Sequence, residues 1–194
     1  LRRMTALAKT REPVDMVMIG DFGKDLDDEK ALCVAVAMRR LGLVGDLTCV
    51  ANLGDSVMRA RLAKGSLQAL CAGECLVATG THGGRPDEEL YEHEFSAAEY
   101  LASEDSLNPL GGHETVFQAF ETSKMKKRQT SLVLNSSLTD AALIFEDPRW
   151  NDYRSTVCVV AAMGGFKEGE NGELVIDGSA ANNAFDLPSA EKAY

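Results

Sequence analysis

Short unbroken apolar runs alternate along this chain with longer stretches whose apolar residues recur every three or four positions. The runs at 14–19 (VDMVMI), 47–51 (LTCVA), 76–78 (LVA), 131–134 (SLVL) and 156–162 (TVCVVAA) read as strands. Between them, 27–43 reads as a helix. Its apolar residues are Leu32, Val34, Val36, Ala37 and Leu41, with acids in its first turn and Arg39-Arg40 near its end. Further helices are expected at 56–70, with Ser56 as N-cap, at 114–123, at 138–145 and from 187 onward. A short strand is expected at 174–176. The stretch 85–112 breaks the pattern: it is acidic, carries Asn108-Pro109 and Gly111-Gly112, and reads as a surface excursion with a short helix at 95–103.

Strand alternating with helix predicts an open, mainly parallel Rossmann-like α/β sheet with helices on both faces. The expected organisation is an N-terminal extension at 1–13 and one domain at 14–194, cut short at its C-terminal side. In such sheets ligands bind beyond the carboxyl ends of the strands. The residues standing there are Asp21 to Asp28, then Asn52 to Asp55, Thr79 and His82, Asn135 and Ser136, and Met163-Gly-Gly.

Composition narrows the choice of partner. Twenty Lys and Arg face 30 Asp and Glu, so the net charge is −10. That argues against nucleic acid or an anionic membrane as partner and suits a cation site. No apolar stretch is long enough to span a bilayer. The five cysteines, an odd number in mostly apolar surroundings, suit reduced thiols and a cytoplasmic location.

The sharpest feature follows the first strand. Asp21-Phe-Gly-Lys-Asp25-Leu-Asp27-Asp28-Glu29 places four aspartates within eight positions. Like charges at one locus cost energy unless a cation neutralises them, and oxygen ligands favour Ca²⁺ or Mg²⁺. The plainer alternative is that Asp27 caps the helix while Asp28 and Glu29 favour its positive end. That accounts for neither Asp21 nor Asp25.

Asp21-x-Gly-x-Asp-x-Asp-Asp resembles the N-terminal aspartate motif of the inosine–uridine-type nucleoside hydrolases, in a variant spacing. Four later landmarks stand in the family's order: Val50 to Asp55, Leu132 to Asp140, Val159 to Phe166, and Ala181 to Asp186 followed by Ser189-Ala190. The resemblance implies a Ca²⁺ ion held by Asp21, Asp28 and the backbone carbonyl of Asn135. It implies Asp21 as the general base acting on a calcium-bound water. Asp25, Asp27, Asp55, Met163, Asn182 and Asn183 are implied to contact the sugar. The spacing leaves open which of Asp25 and Asp27 reaches the metal.

The implied reaction cleaves the N-glycosidic bond of a ribonucleoside to ribose and free base, through an oxocarbenium-like sugar. The family's continuation supplies a last calcium-binding aspartate and often a histidine, which nothing after Asp186 matches. The implied partner is a small nucleoside or related riboside, with a homo-oligomer as the assembly. Two alternatives remain: a truncated or diverged hydrolase-like module that binds a sugar or partner without turnover, and a Mg-dependent haloacid-dehalogenase-type phosphatase. The latter needs Asp-x-Asp where this chain has Asp21-Phe-Gly23.

Overall fold

The computed structural model describes residues 12–23, 26–86 and 98–194. Five strands form one parallel sheet: β1 (Val14–Gly20), β2 (Val44–Ala51), β3 (Leu76–Thr79), β4 (Thr130–Leu134) and β5 (Val157–Ala162). Their spatial order is β3-β2-β1-β4-β5. A two-stranded antiparallel ribbon, β6 (Phe166–Glu168) with β7 (Leu174–Ile176), stands apart. The helices are α1 (Leu26–Arg40), α2 (Ser56–Ala69), α3 (Gly111–Met125), α4 (Thr139–Glu146), α5 (Trp150–Tyr153), α6 (Ala181–Phe185) and α7 (Leu187–Ala193).

β1 is central, so its alternate side chains are buried on opposite faces. Met18 packs with Leu32, Ala35 and Val36 of α1 and with Ala60, Ala63 and Leu67 of α2. Val17 and Ile19 face the other way, onto Val116, Phe117 and Phe120 of α3, Ala141 and Ile144 of α4, and Ala190 of α7. The expected α/β sheet with helices on both faces is therefore what the chain adopts. Chain order runs outward from β1 through β2 to β3, then returns to β4 on the opposite side. The order thus reverses between β1 and β4, the point at which sheets of this kind place a ligand crevice beyond the strands' carboxyl ends.

Several local expectations are corrected. Asp55, not Ser56, caps α2: its Oδ1 accepts from the Met58 N–H at 3.0 Å. Val34 is 57% exposed because the buried stripe of α1 runs through Asp28, Leu32, Ala35 and Val36 instead. In place of a helix at 95–103 the described part, 98–103, holds a single 3₁₀ turn, Ala98–Tyr100, with another just beyond it at Glu104–Ser106; residues 95–97 lie outside the described residues. The fifth strand is apolar throughout yet lies at the sheet edge, with Val159 and Val160 nearly half exposed.

Candidate functional site

Asp21 follows β1 and Asn135 follows β4, so the two flank the crevice at the point where strand order reverses. The Asn135 N–H donates to the Ile19 carbonyl at 2.8 Å, which holds the two strand ends together just below the site. Asp28 joins them from the first turn of α1. It sits one turn before Leu32 on the core-facing stripe, so its carboxylate is carried inward. Asp21 and Asp28 are both buried.

Two carboxylates meeting out of water cannot both hold full charge without compensation. Burial, then the charge of Asp21 and a hydrogen bond shared with its carboxylate, then the charges of Asp27 and Glu29, push the Asp28 carboxyl up to about 9. Among the described residues the Asp28 Oδ1 has no hydrogen-bond partner. Gly20 lets it approach: a Cβ at that position would stand 2.2 Å from Asp28 Oδ1. Glu29 closes the turn from below, accepting from the Gly23 N–H at 2.7 Å, and burial raises its carboxyl as well.

A buried cation frames the same turn. Arg59 is fully buried, donating from Nε to the Leu53 carbonyl at 2.8 Å and from Nη1 to the carbonyls of Asp21 and Phe22, each at 3.3 Å. It therefore ties the turn after β1 to the turn after β2, where Leu53 holds φ +75°.

The remaining expected positions divide by what their side chains do. Asp27 is half-buried beside Asp28, and its charge contributes to the rise at Asp28. Asp25 lies outside the described residues. Asp55 is exposed at the α2 N-terminus, where one carboxylate oxygen caps the helix. Met163 is 46% exposed after β5. Asn182 lies on α6 and donates from Nδ2 to the Asn135 carbonyl at 2.9 Å and to the Met163 carbonyl at 2.8 Å. It thus holds the ends of β4 and β5 together, and the carbonyl expected to bind a metal already accepts one hydrogen bond. Asn183, also expected at the sugar, is bonded within the chain. It is fully buried, its Nδ2 donates to the Gly165 and Asp177 carbonyls at 3.0 Å each, and its Oδ1 accepts from the Tyr194 hydroxyl at 3.4 Å. Its amide braces the Gly165–Asp177 loop.

Among the described residues no group of three or more His, Cys, Asp or Glu side chains is arranged to hold a metal ion. What the crevice offers a hard cation is the Asp21–Asp28 pair with backbone oxygens beside it. An orphaned buried carboxylate oxygen facing a second carboxylate fits such an ion.

Sequence reasoning missed the residues that organise the rim. Asp140, in the first turn of α4, is buried. Its Oδ2 accepts from Asn52 Nδ2 at 2.8 Å and Thr81 Oγ1 at 2.7 Å, and its Oδ1 from the Thr81 N–H at 3.0 Å. Thr139 beside it donates to Asp186 Oδ2 at 2.7 Å. Burial works against the Asp186 charge, but the Ser189 and Thr139 hydroxyls and the Ser189 N–H outweigh it and hold that carboxyl below its ordinary range. The available signal for Asp140 was its place just after the fourth strand, but an acid in a first helical turn has a sufficient local explanation.

No protein-family model matches the sequence, and no curated protein matches it. Solved structures do match. One is the effector protein XOO4466, 24% identical over 100% of this chain with a TM-score of 0.79. Another is the type III effector protein XopQ in complex with adenosine diphosphate ribose, 22% identical over 100% of this chain with a TM-score of 0.75. This chain spans 55% of the length of each. At that identity the likeness is one of fold, and the shared fold is nucleoside-hydrolase-like. The expected membership in the inosine–uridine-type hydrolases is thereby corrected: the matches are nucleoside-hydrolase-like effector proteins from Xanthomonas, and neither a family model nor a curated relative supports the narrower assignment. The chain has the nucleoside-hydrolase-like α/β fold of these two structures.

Proposed function

We propose that the crevice between β1 and β4 binds a divalent cation, calcium by its oxygen donors, together with the ribose of a small-molecule riboside. The observation that carries this reading is the buried Asp21–Asp28 pair at the reversal point of strand order. The ADP-ribose in the XopQ structure supports a ligand built on ribose. Asp21 and Asp28 hold the ion, with the Asn135 carbonyl beside them, and Asp27, Asp55 and Met163 line the approach of the sugar. Calcium, when bound, supplies the positive charge that both carboxylates need and a fixed point for neighbouring ribose hydroxyls.

The finer reading is hydrolysis of an N-glycosidic bond. Asp21 then takes the proton of the attacking water, and the acidic walls stabilise the cationic character that develops on the sugar. The deciding experiment is release of reducing sugar from nucleosides, NAD and ADP-ribose, with and without EDTA. Calcium-dependent release that Asp21→Ala abolishes supports hydrolysis. Calcium-dependent ribosyl binding without release supports the non-catalytic module, and binding of neither ion nor riboside overturns both. Free thiols at all five cysteines support a reducing, cytoplasmic setting. Among the described residues no helix is long and apolar enough to cross a membrane.

A further inference from the structure

The strand-end turns must hold fixed positions for a site at the carboxyl end of this sheet to have a shape, and a single carboxylate beyond β4 gathers two of them. Asp140 of α4 accepts from Asn52, just beyond β2, and twice from Thr81, just beyond β3. Through Asn52 the bond reaches further: Asn52 Nδ2 also donates to the Ser137 carbonyl beyond β4 at 3.0 Å, and the Asn52 N–H donates to the Gly20 carbonyl at the end of β1 at 3.0 Å.

The turn after β3 passes the constraint outward. The Thr81 carbonyl accepts from the Leu53 N–H and the His82 carbonyl from the Gly54 N–H, each at 3.1 Å. Leu53 and Gly54 hold φ of +75° and +58°, conformations that need outside support, most of all at Leu53. Gly83 packs so closely that a Cβ there would meet Ser137 Cβ at 2.9 Å. Asp140 is buried, its bond from Asn52 is buried and its two bonds from Thr81 are part-buried, and three donors on two oxygens hold the carboxylate in one orientation.

We infer that Asp140 is a positioning residue: it fixes the turns after β2 and β3 and so sets the shape of the ribosyl side of the crevice, without touching the cation. The inference rests on the ribosyl-binding reading above. Asp21 and Asp28 belong to the β1–α1 connection and are framed by Arg59 and Glu29, not by Asp140. Arg59 keeps its own bonds to both turns when Asp140 is changed, so the loss is expected to fall chiefly on the ribosyl side.

The test is isothermal titration of Ca²⁺, and of ADP-ribose in the presence of Ca²⁺, on the wild-type chain and on Asp140→Ala, Asp140→Asn and Thr81→Val. Amide hydrogen exchange is read alongside. Asp140→Ala is expected to weaken ADP-ribose by about tenfold or more while Ca²⁺ affinity stays within about twofold. Asp140→Asn keeps an acceptor for the Thr81 N–H and is expected to lose less. The Leu53 and Gly54 amides are expected to exchange at least about tenfold faster in Asp140→Ala, relative to those of β1. ADP-ribose affinity unchanged in all three variants, or Ca²⁺ affinity falling in step with it, would overturn the inference. Should the wild-type chain bind no ADP-ribose, the ribosyl reading fails, and exchange at Leu53 and Gly54 decides alone: acceleration upholds the positioning role, and unchanged rates overturn it. If Asp140→Ala does not fold, Thr81→Val, which removes the hydroxyl that donates to Asp140 and accepts from the Gly83 N–H but keeps the Thr81 N–H bond to Asp140, carries the same comparison.

Discussion

Asp28 occupies the stripe of α1 that Leu32, Ala35 and Val36 use to enter the core. A charged residue at such a position costs stability unless its charge is removed or matched. Its carboxyl, pushed up to about 9, keeps its proton in the folded chain across a range where the unfolded chain has released it. The folded state thus binds more protons between about pH 4 and pH 9, so stability without a cation falls as pH rises through that window. A bound cation replaces the proton. Added Ca²⁺ is therefore expected to raise the melting temperature more at pH 8.5 than at pH 5, read by thermal denaturation at both pH values with and without EDTA. Asp28→Asn removes the repulsion and is expected to stabilise the cation-free chain at pH 8.5 and to abolish the Ca²⁺-dependent rise. The site also depends on a missing side chain. Gly20→Ala places a methyl against Asp28 Oδ1 and Phe22, and is expected to cost about 1–3 kcal/mol in urea denaturation.

At the scale of elements, the strands and helices were legible because their periodicities are clean. β1 to β4 alternate inward positions between two helix layers, and the apolar residues of α3 and α4 recur at helical spacing. The acidic turn was legible too, since Asp21 stands where an α/β sheet places its ligands. Long-range hydrogen bonding was not. Arg59 reads locally as a solvated helix residue, but it is fully buried because three backbone carbonyls of two turns converge on its guanidinium. Asp140 reads as a first-turn acid, and the bonds of the Asn183 amide go unread, for the same reason: their partners lie far away in sequence or across a loop. Edge position was equally hidden, since VCVVAA reads the same whether a strand is central or terminal. Arg59→Met is expected to cost about 3 kcal/mol, because it leaves those carbonyls without their charged donor, and to weaken Ca²⁺ binding by loosening the Asp21 turn. Urea denaturation and calorimetry read the two effects. Val159→Lys, at the open edge, is expected to change stability by less than about 1 kcal/mol.

Across the whole molecule, the net charge of −10 is not evenly spread in its consequences. Exposed Glu114 and half-buried Asp147 are both paired with Arg149, whose guanidinium holds both carboxyls at about 2. Such surface pairs contribute little to stability. The acids after β1 are few but desolvated, and it is on them that the proposed cation site rests. A sheet whose order reverses beside its central strand supplies the place, and the β1–α1 turn supplies the oxygen donors. The most direct test of the central claim is calorimetric titration of ADP-ribose into the chain in Ca²⁺ and in EDTA, for wild type and Asp21→Ala. Binding that appears only in Ca²⁺ and disappears in Asp21→Ala is the predicted result. Equal binding in EDTA, undiminished binding by Asp21→Ala, or no binding in Ca²⁺ would contradict it.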